Sequence, residues 1–316
     1  MARLRVVAYT RGDTPVDNIP ASFPEIDFTH CTRPEEGRLA LPHADALFIA
    51  RRITHEDALR ISKQLKWLHI SGAGADHILP VLPCDLHPMI TNARGLSADL
   101  IAEYTLCTVL MLRWQMRRAI QAQAERQWDR WPTVLLAGQT LGVVGLGTIG
   151  KAVARRARGI GMKVVGVRRQ STAIEEVDTL YPLEDLHAML ALADATVVTV
   201  PLTPATANLV DADALAVMPK HAILTVVGRG GVVDESALVE ALNTQRLAGA
   251  ALDVFAQEPL DPSSPLWNVP NLFVTSHIAG ELPNIRELNA EFFTENLRRF
   301  INREPLLSVV NREAGY

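Results

Sequence analysis

Residues 145–150 read Gly-Leu-Gly-Thr-Ile-Gly, and the setting of this run constrains the fold more than the pattern itself. It directly follows the β-rich stretch TLGVV and opens the helix-patterned stretch IGKAVARRARGIG. A glycine triplet with that spacing, between a strand and a helix, suits a dinucleotide pyrophosphate. The first glycine permits the tight turn, the second lets the phosphates approach the backbone, and the third lets helix and strand pack closely, with the anion at the positive helix N-terminus. Gly145, Leu146, Gly147, Thr148, Ile149 and Gly150 are therefore candidate cofactor-binding residues.

The surrounding pattern supports that reading. After the glycine turn come KVVGV, EDLHAMLALAD, ATVVTV, DADALAVM, HAILTVV, ESALVEALNTQ, GAALDVF and NLFVTS, an alternation of strand and helix that predicts a parallel sheet of about six strands covered on both faces. An acidic residue about 20 positions beyond the glycines would bind a ribose 2′-hydroxyl. This chain instead ends its second strand in Arg168 and Arg169. Loss of the carboxylate and gain of two guanidiniums favour a 2′-phosphate, so NADP(H) is the expected cofactor, with NAD(H) possible.

Before this region, LRVVAY, ALFIA and LKWLHI read as strands, and THEDALRISKQ as a helix capped by Thr54. Near residue 97 the texture changes: Ser97 can cap a long helix running to about Arg126, and the Trp- and Pro-containing stretch QWDRWPTVLLAGQ then connects to the glycine turn. A last helix, about Glu281 to Asn302, can return the chain to its first part. At 316 residues the chain exceeds one typical core, and about two domains are expected.

Composition excludes other classes. The chain is 48% hydrophobic and 21% charged with net charge −4, which fits a folded globular protein without a global field for nucleic acid. The most apolar helix candidate carries Glu103 and Arg113, so no membrane span is expected, and the N-terminal apolar run is too short for a signal peptide. Cys31, Cys84 and Cys107 are scattered, which supports neither a disulfide framework nor a metal cluster and suits reduced, cytoplasmic thiols.

Three further segments carry the chemistry: VVGRGGVVDESAL around Arg229, LDVFAQEPL around Asp253 and Glu258, and TSHIAG around His277. Each follows an expected strand of the cofactor domain, at the carboxyl edge where such sheets bind ligands. Singly, each residue is ordinary. The histidines His30, His69, His77 and His221 lack such context and read as packed or surface residues.

Taken in order, GxGxxG, GRGGxVDExAL, DVFxxEPL and HIAG resemble the D-isomer-specific 2-hydroxyacid dehydrogenases, over essentially the whole chain. The resemblance implies a Rossmann cofactor domain, 97–280, inserted into a smaller flavodoxin-like substrate domain built from 1–96 and 281–316, and a homodimer. It implies that Arg229 binds the substrate, that His277 is the acid/base, and that Glu258 is its partner. A planar guanidinium can hold a carboxylate and polarise the adjacent carbonyl. A histidine can donate the proton that the oxygen needs in reduction, and a neighbouring carboxylate orients the ring and favours its charged form. The resemblance further assigns Ala73 and Gly74, in HISGAGADHI, to the substrate carboxylate through their backbone amides. It puts Pro201, Thr206, Val227 and Gly280 along the cofactor, and Asp253 against the nicotinamide carboxamide.

Two positions depart from the family pattern: Ser276 replaces the usual proline before the histidine, and Val226 the usual asparagine before the arginine loop. The paired arginines, the length, and Trp128 and Trp131 resemble the NADPH-linked glyoxylate/hydroxypyruvate reductase branch, where a tryptophan of this region can reach the neighbouring subunit's pocket; dimer or core packing of these tryptophans remains the alternative. A short phosphoglycerate dehydrogenase-like enzyme, lacking the regulatory domain beyond residue 316, and a nucleotide-sensing scaffold with little turnover are the other readings of the same resemblance.

Overall fold

The computed structural model describes residues 3–50, 53–169 and 172–315. The chain divides into two compact units, Met1–Leu96 with Leu282–Tyr316, and Ser97–Glu281.

In the first unit, β1 (Leu4–Tyr9), β2 (Ile26–Cys31), β3 (Ala46–Ile49), β4 (Trp67–Ile70) and β5 (Met89–Asn92) form a parallel sheet in the order β2-β1-β3-β4-β5. That is the flavodoxin-like order. Short helices α1 (Ile19–Ser22), α2 (Pro34–Ala40) and α3 (His55–Leu59) connect the strands. Thr54 caps α3 as expected, its hydroxyl accepting from Asp57 N at 3.0 Å.

In the second unit, α4 (Ala98–Arg113) and α5 (Met116–Ala124) precede a seven-stranded parallel sheet. Its strands are β6 (Thr140–Val144), β7 (Lys163–Val167), β8 (Thr179–Tyr181), β9 (Ala195–Val198), β10 (Ile223–Val226), β11 (Gly249–Leu252) and β12 (Leu272–Val274), in the order β12-β11-β10-β9-β6-β7-β8. Helices α6 (Thr148–Gly159), α7 (Leu186–Leu190), α8 (Ala212–Val217) and α9 (Glu235–Asn243) cross between them. The final helix, α10 (Ile285–Asn302), belongs to the first unit.

The period-two geometry of strands divides each sheet's side chains between two cores. Leu141, Val143, Val164, Val197 and Ile223 share one core with Val153 and Ala157 of α6. Their neighbours Val144, Val165, Val198 and Leu224 share the other with Leu190 of α7, Leu215 of α8 and Leu238 of α9. Continuous apolar strands, rather than alternating ones, follow from covering both faces. In the first unit Val6, Ala8, Phe48 and Trp67 face α10, where Phe293 stacks on Phe48 at 4.6 Å and on Trp67 at 5.2 Å between ring centroids.

Several sequence expectations need correction. The cofactor-type sheet has seven strands where six were expected, because β8 is a three-residue edge strand on β7, too short to leave a pattern. In the first unit β2 and β5 were not anticipated; β2 is an edge strand with exposed positions, and β5 has only four residues. The helix expected over 97–126 breaks at Gln115, which takes a left-handed conformation (φ 50°) and starts α5 in a new direction. Ser97 stands at the start of α4 but does not cap it with its side chain; its hydroxyl donates to Gly280 O at 2.8 Å. The segment EDLHAMLALAD forms a 3-10 turn and the short α7, and THEDALRISKQ is helical only over His55–Leu59. The last helix begins at Ile285 rather than Glu281, since Pro283 disfavours helical geometry in the residue before it.

Candidate active site

The glycine turn lies at the carboxyl end of β6, the central strand at which the strand order reverses. Its three glycines answer three different demands. Gly145 has φ 97°, and a Cβ there would lie 2.6 Å from Val200 Cγ1. A Cβ on Gly150 would overlap the Gly145 carbonyl, which fixes how closely α6 can approach the strand. At Gly147, the N-cap of α6, an added Cβ would meet nothing within 4 Å, so the backbone is open to a ligand on that side. Open backbone at a helix N-terminus beside a glycine-built turn fits a dinucleotide pyrophosphate. Leu146 is buried beneath the turn, Thr148 is exposed, and Ile149 is half-buried.

Arg168 and Arg169 stand immediately beyond β7, at the same edge of the sheet. Pro201 and Thr206 share one loop after β9: the Thr206 hydroxyl donates to Pro201 O at 2.6 Å and accepts from Thr203 N at 2.8 Å, closing the loop on itself. Val227 is buried in the core of the second unit, and the Gly280 carbonyl is taken by Ser97. Val226, where the family pattern has asparagine, is buried among apolar side chains of β10 and its neighbours.

Arg229 follows β10 on a loop that only glycine flanks permit. A Cβ on Gly228 would collide with the Val200 carbonyl, and one on Gly230 with the Phe255 carbonyl group and Ala256 N. The arginine loop is thus wedged between the loops after β9 and β11. Arg229 is half-buried, and its NH1 donates to Gly228 O at 2.9 Å.

Glu258 lies three residues beyond Phe255, whose amide donates to Glu258 Oε1 at 2.9 Å; the other carboxylate oxygen, Oε2, is 2.8 Å from His277 Nδ1. An ionised carboxylate offers only lone pairs, so Nδ1 carries the proton, and Nε2 is the nitrogen left for proton exchange. The His277 side chain is 48% exposed, open enough to meet a substrate. The Glu258–Pro259 peptide is cis.

His277 itself is held in a left-handed conformation (φ 57°), uncommon outside glycine. Sequence reasoning did not foresee what holds it. Buried Asp253 accepts from Ile278 N and Ala279 N, both at 2.9 Å, and from the Thr275 hydroxyl at 2.6 Å, so one carboxylate ties down both sides of the histidine. Because Thr275 donates to Asp253, its oxygen accepts from Tyr104 OH at 2.6 Å. Burial pushes the Tyr104 phenol up to about 12, which keeps it a donor. Glu235, at the start of α9, accepts from Ala256 N and steadies the Glu258 loop. None of these partnerships has a local signal; Tyr104 and Thr275 lie 171 residues apart.

In the first unit, Ala73 and Gly74 occupy the loop just beyond β4, at the carboxyl edge of that sheet. Trp128 is 93% exposed, whereas Trp131 lies under the Arg118 guanidinium at 4.6 Å and donates to Trp114 O. Among the described residues no group of three or more His, Cys, Asp or Glu is gathered as for a metal ion, and no helix is long and apolar enough to cross a membrane.

A dinucleotide-type turn, with a histidine–carboxylate pair and an arginine loop on the strands beside it, defines a nicotinamide-dependent oxidoreductase. Residues 106–279 match the D-isomer specific 2-hydroxyacid dehydrogenase NAD-binding domain. The glycerate dehydrogenase of Methylorubrum extorquens is 31% identical over 302 residues, covering 91% of this chain and 92% of the relative. Among solved structures, a D-isomer specific 2-hydroxyacid dehydrogenase from Xanthobacter autotrophicus, in complex with NADPH and MES, has a TM-score of 0.87 at 31% identity and covers 100% of both chains. The NADPH-dependent glyoxylate/hydroxypyruvate reductase of Sinorhizobium meliloti, in complex with NADP and sulfate, has a TM-score of 0.87 at 29% identity over 99% of this chain and 100% of the other. The chain belongs to the D-isomer specific 2-hydroxyacid dehydrogenase family, oxidoreductases acting on the CH–OH group.

Proposed function

We propose that this protein is an NADP(H)-preferring reductase of small 2-keto acids, with glyoxylate and hydroxypyruvate as the first substrates to consider. The observation that carries the reading is the His277–Glu258 pair, 2.8 Å apart on two separate loops, with the glycine-flanked Arg229 loop packed against the backbone beside Glu258. The second unit is the cofactor domain and the first the substrate domain.

Gly145, Gly147 and Gly150 would receive the pyrophosphate, with Leu146, Thr148 and Ile149 completing the turn and Arg168 and Arg169 taking the 2′-phosphate. Pro201, Thr206, Val227, Asp253 and Gly280 line the rest of the cofactor path. When bound, the cofactor supplies the hydride to the keto carbon. Arg229 binds the keto acid and polarises its carbonyl. His277 delivers the proton from Nε2 to the oxygen that becomes the hydroxyl, while Glu258 holds the ring through Nδ1. Ala73 and Gly74 receive the carboxylate on their backbone amides. NADP preference is supported by the two arginines and by the NADPH- and NADP-bound structures of similar proteins.

A homodimer is supported by an apolar groove of about 600 Å³ on α4 and its junction with α5, lined by Leu106, Leu110, Met111, Trp114 and Met116. Free Cys31, Cys84 and Cys107 accord with a reducing, cytoplasmic setting. The test is consumption of NADPH and NADH against glyoxylate, hydroxypyruvate, pyruvate and phenylpyruvate. Fast NADPH-linked turnover of either of the first two is expected; preference for a bulky keto acid would move the substrate, and tight NADPH binding without turnover would overturn the reading.

A further inference from the structure

The two amides assigned to the substrate carboxylate need a device that aims them, because a loop peptide can rotate. The carbonyls of the same peptides supply the clue. The Gly72 carbonyl accepts from Ala93 N at 3.1 Å, and the Ala73 carbonyl accepts from Asn92 Nδ2 at 2.6 Å. In a planar trans peptide the C=O and N–H point in opposite directions. Fixing the Gly72 carbonyl therefore turns the Ala73 N–H away from the end of β5, and fixing the Ala73 carbonyl turns the Gly74 N–H the same way. Two successive N–H groups facing one side form an anion-binding nest. Among the described residues no acceptor within the chain takes either N–H.

Asn92 is built for this task. It is 1% exposed, the last residue of β5, paired in register with Ile70 at the end of β4. Its own orientation is set at both ends: Oδ1 accepts from Arg94 N at 3.3 Å, so the amide cannot flip without setting a carbonyl against a carbonyl and a donor against a donor. Its backbone N–H donates to Ser308 O at 3.1 Å, tying the strand end to the C-terminal segment.

We propose that Asn92 is a positioning residue for the substrate carboxylate, aiming the Ala73 and Gly74 amides through the Ala73 carbonyl. The proposal rests on the reading that these amides bind the carboxylate. Asn92 touches no reacting atom; it sets the direction of the donors that do.

The test is binding of oxamate, an unreactive analogue of a 2-keto acid, to the NADPH-loaded protein by calorimetry, with NADPH affinity measured in parallel. Asn92→Ala is expected to weaken oxamate about tenfold, the effect of losing one well-made hydrogen bond, while NADPH affinity stays within a factor of two. In turnover the same variant should raise KM for the keto acid and spare reduction of its methyl ester, which has no carboxylate. A purely structural role would depress both substrates and both ligands alike, and that result overturns the proposal, as does unchanged oxamate binding in a folded variant. Should Asn92→Ala not fold, Asn92→Asp keeps the side chain's shape and the Oδ1 acceptor but sets an oxygen where the Nδ2 donor met the Ala73 carbonyl, and a loss of oxamate affinity with NADPH affinity held is the expected result; wild-type oxamate affinity in this variant overturns the proposal. Wild-type protein that turns over the ester as well as the acid, or that binds no oxamate, would instead overturn the carboxylate reading and the proposal with it.

Discussion

Replacing Gly230 by alanine is the sharpest structural perturbation of the site. Its Cβ would overlap the Phe255 carbonyl and Ala256 N, whereas real Cβ contacts essentially never fall below 3.0 Å. Both obstacles are backbone, so one loop must move by about 1 Å or more, and a misplacement of that size costs about 100-fold in rate when it separates catalytic groups. The moving parts are the Arg229 loop and the segment whose Phe255 amide holds Glu258 Oε1. The expected result for Gly230→Ala is a loss of about 100-fold in kcat/KM for keto-acid reduction, with NADPH affinity nearly unchanged because the glycine turn lies elsewhere. The control is Gly159→Ala, where an added Cβ meets nothing within 4 Å at the end of α6; turnover should be unaffected and stability raised by about 0.4–1 kcal/mol. NADPH oxidation rates, a fluorescence titration of NADPH and a thermal melt of each variant suffice. A folded Gly230→Ala protein with wild-type kcat/KM would refute the argument that this glycine holds Arg229 in register with Glu258.

Glu258→Gln keeps the side chain's shape but removes the charge beside His277 Nδ1, and kcat for reduction should fall about 100-fold or more while NADPH affinity holds; unchanged kcat would remove Glu258 from the mechanism. Joint Arg168→Ala and Arg169→Ala substitution should weaken NADPH by an order of magnitude or more and NADH hardly at all, on the order of one or two charge-assisted hydrogen bonds, and equal weakening of both would dispose of the 2′-phosphate assignment. His69 supplies a pH prediction. Burial lowers it to about 3 from 6.5, so its stabilising contribution is complete above pH 6.5 and is lost as pH falls toward 3. At pH 5 the loss is about 2 kcal/mol, which urea unfolding at pH 7 and pH 5 can read. His69→Leu should show a correspondingly smaller pH dependence, and an identical one would exclude this histidine as the source.

The fold was legible where burial on both faces forced continuous apolar strands, as in KVVGV, ATVVTV and HAILTVV, which form β7, β9 and β10. It was not legible in β2, whose Asp27, Thr29 and His30 interrupt the apolar run, nor at Gln115, where the helix turns without glycine or proline. The site divides the same way. Arg229, Glu258 and His277 carry motifs because the proposed chemistry needs those side chains at fixed places after strands. Asp253 under the histidine loop, Tyr104 behind Thr275 and Asn92 behind Ala73 act through contacts between distant segments, and a linear pattern records no such pairing.

The proposed role of His277 as proton donor in keto-acid reduction is tested by NADPH-linked reduction of glyoxylate and hydroxypyruvate by wild-type protein and by His277→Ala, with NADPH affinity measured on both. The expected result is turnover by wild type and a variant that loses at least about 100-fold in kcat while binding NADPH normally. A variant that reduces keto acids as fast as wild type would contradict it.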